Sequence, residues 1–401
     1  MRVKFWGTRG SIATPEPEFM KYGGNTACIE VRTSHGELII LDAGTGIRRL
    51  GEALLAKPPA DKRAAIIISH YHWDHIQGFP FFAPLYVPGW TFSIFGQFKV
   101  DGRLMTSLSG QMGNLYFPVT MEAFGAELEF KEIIEQELAI GQTRVTSRAL
   151  NHPQGNLGFR IVDGEGIFAY VSDTEHFEHG LDEKALELAR DADVLVYDAQ
   201  YTPEIYPSRK GWGHSTWKAG IELARAAGVR TLVLFHHDPS STDDQIDRYV
   251  ADAAREFPST IAASRDLVLD IRSDRPPEDL LPPMIRVSTT VRSRLRHKIE
   301  TKGACVHVRP SSFPSLFNAD EFKAAVVGHL VEGVERVSFD FRDIDEIDSQ
   351  TLGTLAQFLE VAEKRRIKFA ITGASEFVRE VLAVTRFDQV IEISGAEPPP
   401  G

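Results

Sequence analysis

The feature that most constrains the fold is a short histidine-rich string, HYHWDH at residues 70–75, which directly follows an apolar run (64–69) with the pattern of a β-strand. Its metal-capable side chains cannot all face one side of a helix or strand, but a loop at the end of a strand can turn them towards a common point. Imidazoles and a carboxylate suit zinc, iron or manganese. The alternative is a polar turn that is merely rich in histidine. The string therefore predicts a metal site at the end of a buried strand.

Further metal-capable side chains follow apolar runs later in the chain, and these runs also have the pattern of strands. Sheet-based scaffolds present their sites at such positions. Taken alone, each residue would more often be a structural turn residue, but as a set they predict the remaining ligands of one site. They are His152, Asp173 and His236, with the adjacent His237 as an alternative to His236.

The length of the chain and a proline-rich segment indicate two domains. A chain of 401 residues exceeds one ordinary hydrophobic core. The segment 272–283 holds prolines and charges without apolar periodicity, which is typical of a linker. We therefore predict a mixed sheet-and-helix domain at 1–271, a small α/β domain at 284–395 and a flexible tail at 396–401.

The charge of the chain disfavours long nucleic acids as substrates. Of the net charge of −12, −11 falls on the residues before Met284, where 28 Lys and Arg oppose 39 Asp and Glu. An acidic surface repels a polyphosphate backbone, whereas metals can still hold a small anion. No apolar run approaches the roughly 20 residues that cross a bilayer, so no membrane association is expected. The two cysteines fall in different predicted domains, which argues against a disulfide framework and favours a cytoplasmic location.

The first 270 residues or so resemble the metallo-β-lactamase superfamily, in its ribonuclease Z-like and cyclic-phosphate phosphodiesterase-like branch. The resemblance rests on HYHWDH together with three glycine-containing segments: FWGTRGS (5–11), YGGNT (22–26) and LDAGTG (41–46). It implies an N-terminal αββα sandwich and two divalent metal ions that share an activated hydroxide. The expected metal is zinc, with manganese and iron as alternatives. Carried over by position, it implies one metal held by His70, His72 and His152, a second held by Asp74, His75 and His236, and Asp173 bridging the two.

A second motif of the same branch points to a proton donor. The segment GWGHST (211–216) resembles its Gly-His-Ser element, in which a histidine helps to protonate the leaving oxygen. An alkoxide is a poor leaving group, and an imidazolium can supply the proton. The resemblance thus makes His214, together with Asp74, a candidate catalytic residue. The alternative is that the segment only begins a helix over 215–227, with Ser215 or Thr216 as its N-cap.

The predicted substrate is a small phosphodiester such as a cyclic nucleotide. A ribonuclease Z that binds transfer RNA has a protruding basic arm, and no glycine-flanked basic insertion of that kind is found here. An aromatic-rich stretch over 79–118 could stack a base or close over a ligand, although ordinary packing explains most of it. Two alternatives stay open: a signalling adaptor that binds metal or nucleotide without turnover, and a hydrolase of thioesters or lactams.

The last 115 residues or so resemble the STAS domain of anti-sigma-factor antagonists. A predicted strand is followed by Asp348-Ser349, an amphipathic helix (352–364) and a strand ending in Thr372-Gly373. In regulatory members a partner kinase phosphorylates the serine that Ser349 matches, and a phosphate adds about −1.5 to −2 charge to a docking surface. The resemblance implies a regulatory domain with a protein partner, kinase or anti-sigma-like. The alternative is that Asp348 and Ser349 only cap the helix.

Overall fold

The computed structural model describes residues 1–99, 104–164, 166–272, 298–310, 326–331, 333–342, 344, 349–385 and 387–395. These residues form two compact units, the first within 1–272 and the second from 298 onward. The predicted linker beyond Arg272 and the predicted tail lie outside the described residues, and the exact domain boundaries stay a prediction. No helix in the described part of the chain is long and apolar enough to cross a membrane.

Two sheets form the centre of the first unit. Their strands are β1 (Arg2–Gly7), β2 (Cys28–Arg32), β3 (Leu38–Leu41), β4 (Arg63–Ile68), β5 (Thr91–Gln97), β6 (Glu127–Ile133), β7 (Gln136–Ile140), β8 (Thr143–Leu150), β9 (Asn156–Val162), β10 (Ile167–Val171), β11 (Val194–Asp198), β12 (Thr231–Phe235), β13 (Thr260–Ala262) and β14 (Val268–Asp270). The strand order is β14-β1-β2-β3-β4-β5-β6 in one sheet and β13-β12-β11-β10-β9-β8-β7 in the other. The strands from β3 to β6 and from β10 to β13 run parallel.

Helices cover the outer face of each sheet. They are α1 (Ile47–Ala56), α2 (Trp73–Ile76), α3 (Leu104–Gly110), α4 (Glu183–Ala189), α5 (Trp217–Ala227) and α6 (Asp243–Glu256). Successive residues of β4 show the layering, because Ile67 packs in the core between the sheets while Ile66 packs in the outer core with α1. Parallel strands buried on both faces are apolar throughout for this reason. The predicted αββα sandwich is confirmed.

Four chain segments end at one edge of the sandwich and carry the predicted site. HYHWDH follows β4, and His152, Asp173 and His236 lie one or two residues after β8, β10 and β12. The parallel neighbours β10, β11 and β12 are in register, with Val171 opposite Tyr197 and Asp198 opposite Phe235. Since parallel strands present their carboxyl ends at the same edge, residues distant in sequence meet there.

The second unit is a smaller α/β structure. It contains β15 (Lys298–Lys302), β16 (Cys305–Arg309), β17 (Arg336–Asp340), α7 (Ser349–Lys364), β18 (Lys368–Ala374), α8 (Glu376–Val384) and β19 (Glu392–Gly395), with strand order β15-β16-β17-β18-β19. Phe339, Leu355 and Leu382 share its core. The predicted small α/β fold is confirmed. The helix α7 begins at Ser349, whereas Asp348 and the side chain of Ser349 lie outside the described residues.

Candidate metal centre

The structure brings all of the predicted ligand residues together in two adjoining groups. Within each group the potential ligand atoms lie within 4.8 Å of one another. All of these side chains are buried except His72, which is exposed. The first group is His70, His72 and His152, and the second is Asp74, His75, Asp173 and His236.

The first group contains a buried nitrogen that lacks a hydrogen-bonding partner. His70 is 1% exposed, and among the described residues its Nε2 atom has no hydrogen bond. The nearest carboxylate oxygen, Oδ2 of Asp173, is 3.7 Å away. The Nε2 atom of His152 lies 3.2 Å from Nδ1 of His72. A buried polar atom without a partner is unfavourable, and a cation among these nitrogens would satisfy it. The donor set therefore fits a divalent metal.

The second group places carboxylate oxygens against ring nitrogens. The Nε2 atom of His236 lies 3.0 Å from Oδ2 of Asp74 and 3.3 Å from Oδ2 of Asp173. The Nε2 atom of His75 lies 3.3 Å from Oδ1 of Asp173 and 3.3 Å from Nε2 of His236. Asp173 thus faces both groups, the position that a bridging carboxylate requires. Two ring nitrogens and two carboxylates converging on one point also suit a divalent cation.

Hydrogen bonds at the far side of the ring fix the direction of three of the imidazoles. In each case Nδ1 donates to an oxygen and Nε2 is left facing the cluster, an arrangement that orients metal-binding histidines. The pairs are His75 with Asp42 at 2.8 Å, His152 with the carbonyl of Gly213 at 2.8 Å, and His236 with Oε1 of Gln200 at 2.9 Å.

The protonation states in this cluster match those of metal ligands. Burial lowers the pKa of His70, His72 and His152 below the ordinary value, so these rings are neutral. Burial alone would raise the pKa of Asp74 and Asp173, but the charges and hydrogen bonds of His75 and His236 hold the pKa of both carboxyl groups well below the ordinary range. Neutral imidazoles and ionised carboxylates are the forms that bind cations.

His75 has the opposite shift. Burial lowers its pKa, but the carboxylates of Asp173, Asp74 and Asp42 together raise the pKa well above the ordinary value. A proton on the His75 ring and a cation beside this ring would each neutralise negative charge on the same three carboxylates. Binding of a cation is therefore expected to release the proton.

Three residues at the site hold a left-handed backbone that non-glycine residues rarely adopt. Asp42, Asp173 and His236 have φ angles of 60°, 51° and 61°. Such conformations cost about 1–3 kcal/mol each and persist where the surrounding structure enforces them. The side chain of Asp173, for example, accepts a hydrogen bond of 2.6 Å from the Ser172 hydroxyl. Backbone strain at three neighbouring positions is typical of a functional site.

The FWGTRGS segment supports the second group directly. The backbone N–H of Ser11 donates to Oδ2 of Asp74 at 2.7 Å. A Cβ atom at Gly10 would lie 2.4 Å from Nδ1 of His236, so only glycine permits this approach. The guanidinium of Arg9 is buried and donates to the carbonyls of Gly23 and Ser241. The glycine motif is therefore part of the wall of the site.

His214 lies beside both groups and is paired with a carboxylate. Its Nδ1 atom is 2.8 Å from Oδ2 of Asp198, and its ring stacks on His236 with centroids 4.9 Å apart. Burial lowers the pKa of His214, but the Asp198 carboxylate outweighs burial and the pKa rises to about 9. The Thr216 side chain also caps α5 by accepting from the N–H of Ala219. The segment both begins a helix and presents His214 to the site.

His237 takes no part in the cluster. Its Nε2 atom donates to the carbonyl of Ala263 at 2.8 Å, and its Nδ1 atom accepts from the Tyr249 hydroxyl at 2.8 Å. Burial lowers the pKa of His237 to about 3. The geometry thus favours His236 over His237 as the ligand.

Three further residues, Asp42, Asp198 and Gln200, each contact a site residue but were not predicted from the sequence. Asp42 directly follows β3, Asp198 ends β11 and Gln200 lies two residues further on. A search for acidic and amide side chains at the carboxyl ends of every predicted strand would have found them. The aromatic stretch contributes mainly to packing, because Phe79, Phe82, Trp90 and Phe92 are buried in the outer core, whereas Phe81 and Tyr116 are exposed.

Comparison with known proteins agrees with this site. Residues 38–237, which include every predicted ligand and His214, match the model of the β-lactamase superfamily domain, and residues 296–397 match the STAS domain. A curated ribonuclease Z of Methanosarcina acetivorans is 26% identical over 323 residues, covering 68% of this chain and 98% of that protein. The probable metallo-hydrolase YhfI of Bacillus subtilis is 24% identical over 224 residues, covering 54% of this chain and 83% of that protein.

Two solved structures show the same fold. The metallo-β-lactamase fold protein YhfI aligns with a TM-score of 0.51 at 20% identity over 67% of this chain and 98% of its own. The short form of human tRNase Z aligns with a TM-score of 0.50 at 19% identity over 68% of this chain and 100% of its own. The predictions of the family, of the fold and of a metal-dependent hydrolase are confirmed. The fold implies divalent metal ions, and the His/Asp groups are compatible with them. The chain therefore contains a β-lactamase superfamily domain, which is related to ribonuclease Z, and a C-terminal STAS domain.

Proposed function

We propose that this hydrolase is a dinuclear phosphodiesterase that acts on a small phosphodiester such as a cyclic nucleotide. The observation that carries the proposal is the buried cluster of two adjoining ligand groups, in which Nε2 of His70 lacks a partner and Asp173 faces both groups. A structural metal site holds one ion in a closed set of four ligands, whereas two adjoining sets of ligands around a shared carboxylate are typical of two-metal hydrolytic centres.

The residues that would hold the metals are those of the two groups. His70, His72 and His152 would hold one cation, and Asp74, His75 and His236 the other, with Asp173 shared. Two cations in such a centre neutralise charge on the phosphoryl group and supply a nucleophile from water at neutral pH. Zinc, manganese and iron all accept these ligands.

His214 is proposed as the proton donor to the leaving oxygen. Its Nδ1 atom is held by Asp198, so Nε2 is the atom available for proton transfer. The ring lies with its centroid 5.4 Å from that of His152 and 4.9 Å from that of His236, beside both groups. A positioned imidazolium of this kind typically accelerates such a step by about 10²- to 10⁴-fold.

The exposed tryptophans support a substrate that contains an aromatic base. Of the five tryptophans in the chain, Trp6, Trp90 and Trp217 are buried. Trp73 is 75% exposed and lies between the ligand candidates His72 and Asp74 in the sequence. Trp212 is 56% exposed and lies two residues before His214. An exposed indole beside a phosphoryl site can stack a base.

The test is turnover of cyclic mononucleotides and cyclic dinucleotides by the full chain with zinc or manganese. Asp74→Ala is expected to abolish measurable hydrolysis, whereas Asp61→Ala, which changes an exposed carboxylate outside the cluster, is expected to retain the native rate. Equal rates for the native chain and Asp74→Ala would remove the catalytic claim. Turnover of thioesters or lactams without turnover of phosphodiesters would overturn the proposed substrate class.

Hydrolysis of RNA is the second candidate, because the chain aligns with 98% of the length of a curated ribonuclease Z. The residues before Met284 include 39 acidic and 28 basic side chains, and this net negative charge opposes the binding of a long polyanion. A transfer-RNA precursor with a 3′ extension, assayed beside the cyclic dinucleotides, separates the two candidates. Cleavage of the precursor at a kcat/KM above that for every small phosphodiester would favour RNA.

The STAS domain is proposed to contact a regulatory protein partner, a kinase or an anti-sigma-like protein. Ser349 is the proposed phosphorylation site, since α7 begins at this residue and a helix N-terminus favours negative charge. Phosphate transfer to the full chain by a co-purified kinase, lost in Ser349→Ala, is the expected result. Phosphorylation of equal extent in both proteins would place the site elsewhere.

A further inference from the structure

Glu175 lies outside the ligand groups, but its carboxylate binds the loop that carries His214. Oε1 accepts from the N–H of Gly211 at 2.8 Å and from the Tyr206 hydroxyl at 2.9 Å, and Oε2 accepts from the N–H of Gly213 at 2.9 Å. Hydrogen bonds to an ionised carboxylate are stronger than neutral ones and fix the donors in place. The loop Gly211–Gly213 is thus anchored on one side chain.

The backbone of Glu175 is anchored in turn beside a ligand candidate. Its N–H donates to the carbonyl of Asn151 at 2.7 Å, and Nδ2 of Asn151 donates to the carbonyl of Glu175 at 2.7 Å. Asn151 directly precedes His152. Glu175 therefore connects the loop after β8 to the loop before α5, and it follows Asp173 by only two residues.

Gly213 completes the connection. Its carbonyl accepts the hydrogen bond from Nδ1 of His152 at 2.8 Å, and the next residue is His214. A Cβ atom at Gly213 would lie 2.3 Å from Pro153 and 2.4 Å from Nδ1 of His152, so the backbone of Gly213 packs directly against the ligand candidate. A shift of this loop changes the orientation of His152 and the position of His214 together.

We propose that Glu175 is a positioning residue that couples His152 to His214 through Gly213. The proposal rests on the roles given to these two histidines in the proposed function. It adds that one carboxylate, which lies outside both ligand groups, sets both the affinity of the first metal group and the placement of the proton donor.

The matched control is Glu178, which lies three residues further along the same loop. The Glu178 carboxylate pairs with the side chain of Lys210, which directly precedes the loop Gly211–Gly213. Glu178 is exposed, and its carboxylate accepts no backbone N–H from Gly211 or Gly213. Glu178→Gln removes a carboxylate from the same region without releasing Gly213. Any difference between Glu175→Gln and Glu178→Gln thus isolates the positioning role.

The experiment measures metal binding as well as turnover. Metal-depleted full chain is titrated with zinc or manganese, and the loaded proteins are assayed for kcat and KM. Glu175→Gln is expected to weaken the binding of one of two metal equivalents by about 10- to 100-fold and to lower kcat by a similar factor at little change in KM. Glu175→Asp, which keeps the charge but shortens the side chain, is expected to recover part of both losses, and Glu178→Gln is expected to match the native chain.

Native metal affinity and native kcat in Glu175→Gln would overturn the proposal. So would a purely structural effect, in which the variant unfolds at lower temperature but its folded fraction binds both metals and turns over as the native chain does. If the native chain shows no phosphodiesterase activity, the titration still decides the positioning role, so failure of the proposed function is distinguishable from failure of this inference.

Discussion

Asp42 lies behind His75 and gathers hydrogen bonds from three residues. Its carboxylate accepts from the N–H and hydroxyl of Ser69, from Nδ1 of His75 and from the Tyr170 hydroxyl, and the residue is fully buried. Asp42→Asn keeps the shape of the side chain but removes its negative charge. That charge holds Nδ1 of His75, so that Nε2 of His75 faces the cluster. We expect metal affinity to fall about 10- to 100-fold and the free energy of unfolding to fall by about 1–3 kcal/mol.

Metal titration and denaturant unfolding of the purified variant measure these two effects. Asp252→Asn serves as the control, because Asp252 is exposed on α6 and pairs only with the nearby Arg255 among the contacts described. Unchanged metal affinity in Asp42→Asn would mean that the orientation of His75 does not depend on this carboxylate.

The pair of His214 and Asp198 predicts a pH dependence. The folded-state pKa of His214 is raised from 6.5 to about 9, so the protonated ring persists at neutral pH. The stabilisation from the pair is therefore fully present below pH 6.5 and is lost as the pH rises through about 9. Cations bound nearby lower the pKa of this ring, which places the basic limb of kcat/KM at or below pH 9.

Asp198→Asn removes the charge that raises the pKa of His214. The basic limb of kcat/KM is then expected to move to lower pH and the maximum rate to fall. Profiles of the native chain and the variant, recorded with the same metal, measure the shift. A limb that stays in place would show that His214 is not the group that titrates.

The candidate ligands could be identified one residue at a time, whereas the groups that contact them could not. His152, Asp173 and His236 were found because each follows an apolar run that stands out in the sequence. Asp42 and Asp198 occupy equivalent places, but acidic residues after strands are common in ordinary turns. Only the folded chain shows that Asp42 contacts a histidine 33 positions away and that Glu175 binds the loop of His214.

At the scale of elements, strands with an uninterrupted apolar run were predicted closely. The apolar runs that precede Asp173 and His236 coincide with β10 and β12, and the run 64–69 differs from β4 by one residue at each end. The helix predicted from 215 begins at Trp217, since the Thr216 side chain serves as its N-cap. The strand β5 was not predicted, although its aromatic stretch was assigned mainly to packing, and Phe92 and Ile94 do fill the outer core.

The loop before α5 allows a prediction with an internal control. Gly211 and Gly213 have φ angles of 82° and 84°, so alanine costs a similar backbone strain at both positions. A Cβ atom at Gly211 meets nothing within 4 Å, whereas one at Gly213 meets Pro153 and His152. Both variants are expected to lose about 1 kcal/mol or more of stability, but only Gly213→Ala is expected to lose metal from the first group.

Metal content and turnover of the two alanine variants measure this difference. Native metal content in both Gly211→Ala and Gly213→Ala would contradict the close packing of the loop against His152. Equal loss in both would mean that backbone strain, and not displacement of His152, disturbs the site.

For the whole molecule, the two units carry separate hydrophobic cores. Every residue of the metal centre lies in the first unit, and the core of the second unit is built from its own strands and helices. The length of the chain and its proline-rich segment indicated two domains from the sequence, and the boundaries between them stay a prediction. The charge also divides, with −11 of the net −12 before Met284. We therefore expect the two units to respond differently to a change that affects only the metals.

Removal of metal by a chelator is a change that affects the metals alone. A ligand held at about 100 times its dissociation constant contributes about 2.7 kcal/mol to the state that binds it. For a unit of this size, the loss corresponds to a fall in Tm of about 5–10 °C. Calorimetry of the full chain should therefore show one transition that moves down on chelation and is restored by zinc or manganese.

A second transition, from the unit that contains none of the predicted ligands, should stay in place. In Asp74→Ala the first transition should respond less to chelation, because one ligand group is already incomplete. A shift of both transitions by the same amount would show that the two units unfold together. No shift of either would remove the metal centre as a source of stability, since cations that bind only the folded state must raise its Tm.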